Sequence, residues 1–171
     1  MEFFETVKKR TSVRAYLTKP IKKGKLGKIL EACSLAPSAG NLQAYRVVLV
    51  RGRKDKQAIA DAAYGQDFIV DAPVLVAFIG DRKRSAGKYG KRGEEFYSVQ
   101  DATIAAAYCQ LAAAALGLGS VWIGGFDEEK VAKILKCKPH EFPAAVIPVG
   151  HPAEHMEGHG RREREEMVGE L

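Results

Sequence analysis

Residues 35–50 read LAPSAGNLQAYRVVLV and join the end of an apolar-periodic segment to an unbroken β-branched run through Pro, Ser, Gly and Asn. The run YRVVLVR (45–51) has the composition of a strand. Ahead of it, KLGKILEACSLA (25–36) places Leu26, Ile29, Leu30 and Cys33 on one helical stripe, with Pro37 as a stop. Helix, loop, strand is therefore the local order. Asn41 is the only asparagine in the chain and stands in that loop, where binding groups tend to sit. A simple turn explains it equally, because Asn and Gly tolerate left-handed backbone.

Working outward, PVLVAFIG (73–80) reads as a second strand, and DKQAIADAAYG (55–65) between the two has helical spacing and ends on Gly65. From about Glu94 to Leu116, EEFYSVQDATIAAAYCQLAAAAL forms the longest helix, closed by Gly117. A helix this apolar all round is buried, in part against a second subunit. GSVWIGG (119–125) and AAVIPVG (144–150) read as further strands. DEEKVAKILK (127–136) between them reads as a helix opened by Asp127 with acidic residues in its first turn. Residues 2–9 form a short first helix. After Gly150 the chain is polar and Gly-rich and ends in REREEMVGEL, which reads as an arm over 151–171. No repeat, low-complexity segment or long linker divides the chain, so one domain is expected over 1–171.

Composition narrows the classes. With 46% hydrophobic and 28% charged residues the chain is expected to fold as a soluble protein. MEFFETVKKR is charged from its second residue and lacks a signal-peptide pattern. The longest apolar stretch is interrupted by Gln110, which argues against a membrane span. Cys33, Cys109 and Cys137 are odd in number and never paired as C-x-x-C, so they read as reduced thiols of a cytoplasmic protein. The formal charge of +6 suits an anionic ligand but is too scattered for a nucleic-acid footprint. GKYGKRG (87–93) lacks the G-K-[ST] of a phosphate loop. DRKRSAGKYGKRG (81–93) reads as a mobile surface loop or, functionally, as a basic lid. His151, His155 and His159 have i, i+4, i+8 spacing, but Pro152, Gly158 and Gly160 oppose the helix that would align them, and no metal site is assigned.

The chemistry begins at KKRTSVRAY (8–16). Arg10, Ser12 and Arg14 alternate, so in an extended segment they point the same way just past a helix. Two guanidiniums and a hydroxyl on one spot suit a phosphate monoester, since Arg supplies fork-shaped, charge-assisted hydrogen bonds. An exposed basic strand explains the pattern as well.

RTSVRAY near the N-terminus, APSAGNLQAYRVVLV, QD ahead of the Ala-rich helix, LGLGSVWIGGF, and IPVGHPAE with a basic cluster behind it together resemble the FMN-dependent nitroreductase family in order and spacing. The resemblance covers nearly the whole chain. It implies an α+β fold, an antiparallel sheet flanked by helices, in an intertwined homodimer with two FMN sites at the interface. It further implies NAD(P)H-dependent two-electron reduction by a ping-pong route, with nitroaromatic, quinone or flavin-type acceptors. Dehalogenation, flavin fragmentation and heterocycle dehydrogenation use the same scaffold, and a non-catalytic flavin carrier or sensor would carry the same motifs.

Residue by residue, the resemblance assigns Arg10 and Ser12 to the FMN phosphate and Arg14 to the ribityl chain and the pyrimidine O2 edge. Positive charge at that edge would favour the reduced ring. Pro37, Ser38, Ala39 and Asn41 match the loop that the partner subunit lays on the flavin, with Gln43 close by. Ile123, Gly124 and Gly125 match the strand end beside the isoalloxazine, with the Gly124 N–H directed at N5. Gln66 lies near the stretch that touches the pyrimidine edge. Arg161 and Arg162 align with a basic pair that closes over the phosphate. Two positions depart from the pattern: Trp122 stands where many members have Pro, and Gly124 where many carry a larger residue, often Glu. The chain is also short for the family, with little room for the helical insertion that shapes the substrate channel in longer members.

Overall fold

Strand β5 (Glu141–Pro152) organises the sheet, because both of its edges are paired. On one edge it runs antiparallel to β3 (Val74–Asp81), which in turn pairs with β2 (Tyr45–Val50). The other edge takes two short antiparallel strands, β1 (Tyr16–Leu17) and β4 (Gly119–Ser120). The order is β1-β5-β3-β2 with β4 also on β5. The structure, a computed structural model, describes residues 2–154 and 160–170.

Around the sheet lie α1 (Phe3–Lys9), α2 (Lys23–Ser34), α3 (Arg53–Ala62), α4 (Phe68–Asp71), α5 (Arg82–Arg92), α6 (Ser98–Ala115) and α7 (Glu128–Ile134). The strand period of two sends alternate residues of β3 to opposite faces. Leu75, Ala77 and Ile79 pack with Ile59 of α3, Ile69 of α4 and Val131 of α7. Val74, Val76 and Phe78 pack with Ile29 and Cys33 of α2 and with Ala105 and Cys109 of α6. Both faces are covered, which is why VLVAFIG is apolar throughout rather than alternating. This is the expected antiparallel sheet flanked by helices.

Several local expectations need correction. GSVWIGG pairs with β5 only at Gly119–Ser120 and again through an isolated bridge at Ile123. The adjoining strand is much longer than AAVIPVG, and it tolerates Pro143 opposite Ile79, beside a register shift at Phe78/Ile79. The segment 81–93 is not a loop. Asp81 accepts a hydrogen bond from Arg84 N (2.9 Å) as the cap of α5, and the helix keeps its course until Gly90 breaks it at φ 56°, ψ −143°. Capping and a run of Lys and Arg outweigh the glycines. The long helix starts at Ser98, after a wide π-type turn over Gly93–Tyr97. His151 closes β5 opposite Leu17, whereas His155 and His159 lie outside the described residues. No helix among the described residues is long and apolar enough to cross a membrane.

A half-buried ion pair links β2 to β5 across the intervening β3. Arg46 of β2 donates to Glu141 through Nε (2.9 Å) and Nη2 (2.8 Å), and Lys138 N donates to the same carboxylate (2.8 Å). The Arg46 hydrogen bonds outweigh the burial of Glu141 and hold its carboxyl at about 2, against an ordinary 4.5. A depressed carboxyl gives stability that is present above the ordinary value and lost as the pH falls toward 2. Glu141 is 3% exposed and Arg46 36%. Discounting for that exposure, Arg46→Gln should cost about 2 kcal/mol in urea unfolding at pH 7. The difference from the parent protein should shrink as the pH falls through 2, because Glu141 of the parent is then being protonated as well. Equal deficits at the two pH values would show that the loss is packing rather than charge.

Candidate active site

Helix α1 ends at Arg10, whose backbone is already extended (φ −64°, ψ 114°). The chain then runs past β4, with Ser12 bridged to Ser120 and Val13 N donating to Ser120 O (3.0 Å). Val13 is buried in the core, Arg10 and Ser12 are half-buried and Arg14 is exposed. Among the described residues their side chains make no hydrogen bond or ion pair. A cleft of about 420 Å³ opens here, lined by Arg10, Val13, Gly119, Ser120, Pro152 and Glu154. Glu154 accepts from Arg14 N (2.6 Å) and Ala15 N (3.1 Å), tying the end of β5 to the arginine stretch. Composition gave no sign of that contact, which spans 140 residues.

The 37–44 loop is held differently. Gly40, Asn41 and Gln43 all adopt left-handed backbone, at φ 55°, 58° and 50°. Such a conformation is costly for Asn and Gln unless the surroundings impose it. Here they do. Asp101, in the first turn of α6 and only 1% exposed, accepts from Ala39 N (2.9 Å) with Oδ1 and from Ala44 N (3.1 Å) with Oδ2. Ser38 Oγ accepts from Gln43 N (2.9 Å). The carboxylate is buried with no cation paired to it among the described residues, and two backbone N–H groups balance it. Pro37 and Asn41 are exposed. The Asn41 side chain does no work in the fold beyond accepting from Gln43 Nε2 (3.1 Å).

The third group sits three residues after Ser120. Ile123 exchanges both backbone hydrogen bonds with Val146, after which the chain leaves the sheet. Among the described residues the N–H groups of Gly124 and Gly125 have no acceptor, and both glycines are exposed. Gln66 Nε2 donates to Ala63 O (2.9 Å) and reaches Gly125 O at 3.5 Å, so Gln66 and the strand end are neighbours. A Cβ on Gly124 would stand 3.0 Å from Trp122 Nε1. The two departures at 122 and 124 are therefore one: the indole occupies the space that a larger residue at 124 would need.

Arg161 and Arg162 are exposed, and Arg162 pairs with Glu166 through Nε (3.1 Å) inside the tail. The structure does not bring them to the Arg10–Arg14 stretch. Nor does it bring the Asn41 loop there. The cleft beside Arg10 reaches Ala114, near the C-terminal end of α6, whereas the loop is tied to Asp101 near its N-terminal end. At 1.5 Å per residue these anchors are about 20 Å apart.

A sequence profile of the Nitroreductase family matches residues 7–66 and 61–151, and the chain belongs to that family. It is 34% identical over 173 residues to an NADH dehydrogenase of Thermus thermophilus, covering 85% of this chain and 84% of the relative. It is 29% identical over 168 residues to an FMN reductase [NAD(P)H] of Bacillus subtilis, covering 90% and 67%. Among solved structures, the NADPH:FMN oxidoreductase from Vibrio harveyi complexed with NAD+ superposes with a TM-score of 0.90 at 26% identity, over 98% of this chain and 76% of that one. A nitroreductase family protein from Streptococcus pneumoniae gives 0.89 at 25%, over 99% and 100%.

Asp101→Asn replaces one of two accepting oxygens by an NH2 group that faces an N–H. The variant should lose about 2–4 kcal/mol, the cost of a charged hydrogen bond plus a buried donor left unpaired. The amides of Ala39 and Ala44 should exchange hydrogen faster than those of β3. Unchanged exchange at both would refute the tether.

Proposed function

We propose that the chain, an NAD(P)H-dependent FMN oxidoreductase of the nitroreductase family, acts as a homodimer whose reaction sites are each built from two chains. The carrying observation is the distribution of unpaired hydrogen-bonding groups. Arg10 lines a cleft at the C-terminal end of α6, with Ser12 bridged to Ser120 beside it, and the Asn41 loop is tied about 20 Å away near the other end. A two-fold partner would bring its own loop to the first group. The exposed Phe96, Val99 and Tyr108 at and just before α6 supply an apolar surface for that contact, with the 151–171 arm packing on the partner as well.

The donors fit a flavin mononucleotide. Arg10 and Ser12 would hold the phosphate, joined by Arg161 and Arg162 from the arm, and Arg14 would face the ribityl chain and the pyrimidine edge. Gln66 stands beside Gly125 toward that edge. Gly124 offers its N–H with no side chain in the way, as close approach to a flat ring requires. Pro37, Ser38, Ala39 and Asn41 of the partner, with Gln43, would cover the ring. When bound, FMN supplies reversible hydride chemistry, so NAD(P)H and a nitroaromatic, quinone or flavin-type acceptor can use one pocket in turn. The chain's own residues have positional and electrostatic tasks: Arg14 favours electron-rich ring states, the Asp101 tether fixes the loop, and Trp122 limits the space beside Gly124. The printed activities of the B. subtilis and V. harveyi relatives support this reading. The three free cysteines support a reducing compartment, and a cytoplasmic location is part of this proposal.

The test is a flavin titration followed by NADH and NADPH oxidation assays. The parent protein should bind FMN and oxidise at least one of the two nucleotides. Arg10→Ala should weaken FMN by about 1.5–3 kcal/mol, the scale of a charge-assisted hydrogen bond. Full affinity in that variant would remove Arg10 from the phosphate site, and FMN binding without turnover would make the protein a carrier.

A further inference from the structure

Helix α5 carries six basic residues and no acid between Arg82 and Arg92, and it leans on the Asn41 loop. Arg84 Nε donates to Leu42 O. One turn further on, Lys88 Nζ stands 2.7 Å from the point a Cβ on Gly40 would occupy, with Tyr89 Oη against the same point. Glycine suits position 40 because its φ is 55°, and a side chain there would displace the ends of Lys88 and Tyr89. Arg84 and Lys88 are thus an i, i+4 pair of like charges fixed on one short loop.

Such pairs destabilise a helix by a few tenths of a kcal/mol each. Neither has a carboxylate within ion-pair range among the described residues, although Lys91 and Arg162 do have such partners. The nearby acids are committed elsewhere. Asp101 uses both oxygens on Ala39 and Ala44, and Asp81 caps α5 and faces His140. An aromatic ring stands beside Lys88: its Nζ lies 5.4 Å from the centre of the Tyr89 ring, which packs edge-on to Tyr97 (5.1 Å).

From this juxtaposition we infer that Arg84 and Lys88 form an anion-recognition element on the Asn41 loop, selecting ligands that carry a phosphate or carboxylate beside a flat ring. The inference rests on the reading of that loop as a wall of the reaction site. Two sources offer this chemistry, the phosphate of a phosphorylated pyridine nucleotide and the carboxylate of an aromatic acceptor. An exposed cation pair with no carboxylate partner among the described residues acts on both through charge and hydrogen bonding, and salt weakens it.

The experiment is calorimetric binding to the FMN-loaded protein, its Lys88→Gln variant and its Lys88→Arg variant at low and high salt. Adenosine 2′,5′-bisphosphate against adenosine 5′-monophosphate probes the first source, and 4-nitrobenzoate against 4-nitrobenzamide the second. At least one anionic probe should bind better than its less charged counterpart, and salt should erode the preference. Lys88→Gln should reduce it about two- to fivefold, whereas Lys88→Arg retains it. The pair that responds identifies the source. Preferences in both pairs unchanged by Lys88→Gln would overturn the inference. Turnover with NAD(P)H, measured alongside, separates the two claims. Lys88-dependent anion binding without turnover sinks the oxidoreductase reading alone, and turnover with untouched preferences sinks this one alone.

Discussion

The Asp101 carboxylate holding the two ends of the 37–44 loop is the constraint on which the site depends. Three residues of that loop sit in left-handed backbone, two of them without the excuse of being glycine. Without an external brace the segment would relax, because the strain of each such residue is comparable to a hydrogen bond. Oδ1 and Oδ2 each take one backbone N–H, at Ala39 and Ala44, so the loop is pinned at both ends to the first turn of α6. Asn41 is thereby presented to solvent with most of its hydrogen-bonding capacity unused.

Helix α6 then acts as a spacer. Its Ala-rich face packs closely under the sheet through Ala105, Ala106, Cys109 and Ala113, which fixes its direction. One end carries the Asn41 loop and the other borders the cleft of Arg10 and Ser120. The Arg10 cleft and the Asn41 loop, two parts of the proposed flavin site, are therefore held apart within a chain. Separation by a rigid element is what a two-fold dimer can exploit, since rotation brings unlike ends together. The same geometry gives α5 its place, because whatever fixes the loop also fixes the surface on which Arg84 and Lys88 rest.

Much of this was legible in the sequence. β2, β3, α2, α3 and α7 follow from apolar periodicity and caps within a few residues, since their patterns are local. β1 was not legible, being two residues long and defined only by its pairing with His151 and Pro152. The 81–93 segment misled because its glycines and lysines resemble a loop, while the cap at Asp81 and the break at Gly90 show only in the folded chain. Asp101 and Glu154 were present in the quoted motifs, but their partners lie 57 to 62 and 139 to 140 residues away. No periodicity carries that information. The link between Trp122 and Gly124 is likewise a matter of volume in three dimensions.

The most direct test of a site built from two chains is subunit mixing. Arg14→Glu places a negative charge at the pyrimidine edge, and Asn41→Asp removes an amide donor from the covering loop, so each homodimer should be inactive. In a mixed dimer one site carries both lesions and the other neither. The account predicts that activity returns on exchange, to about half of the parent level per mixed dimer. Proven exchange without recovery, or sedimentation of the parent protein as a monomer, would contradict it.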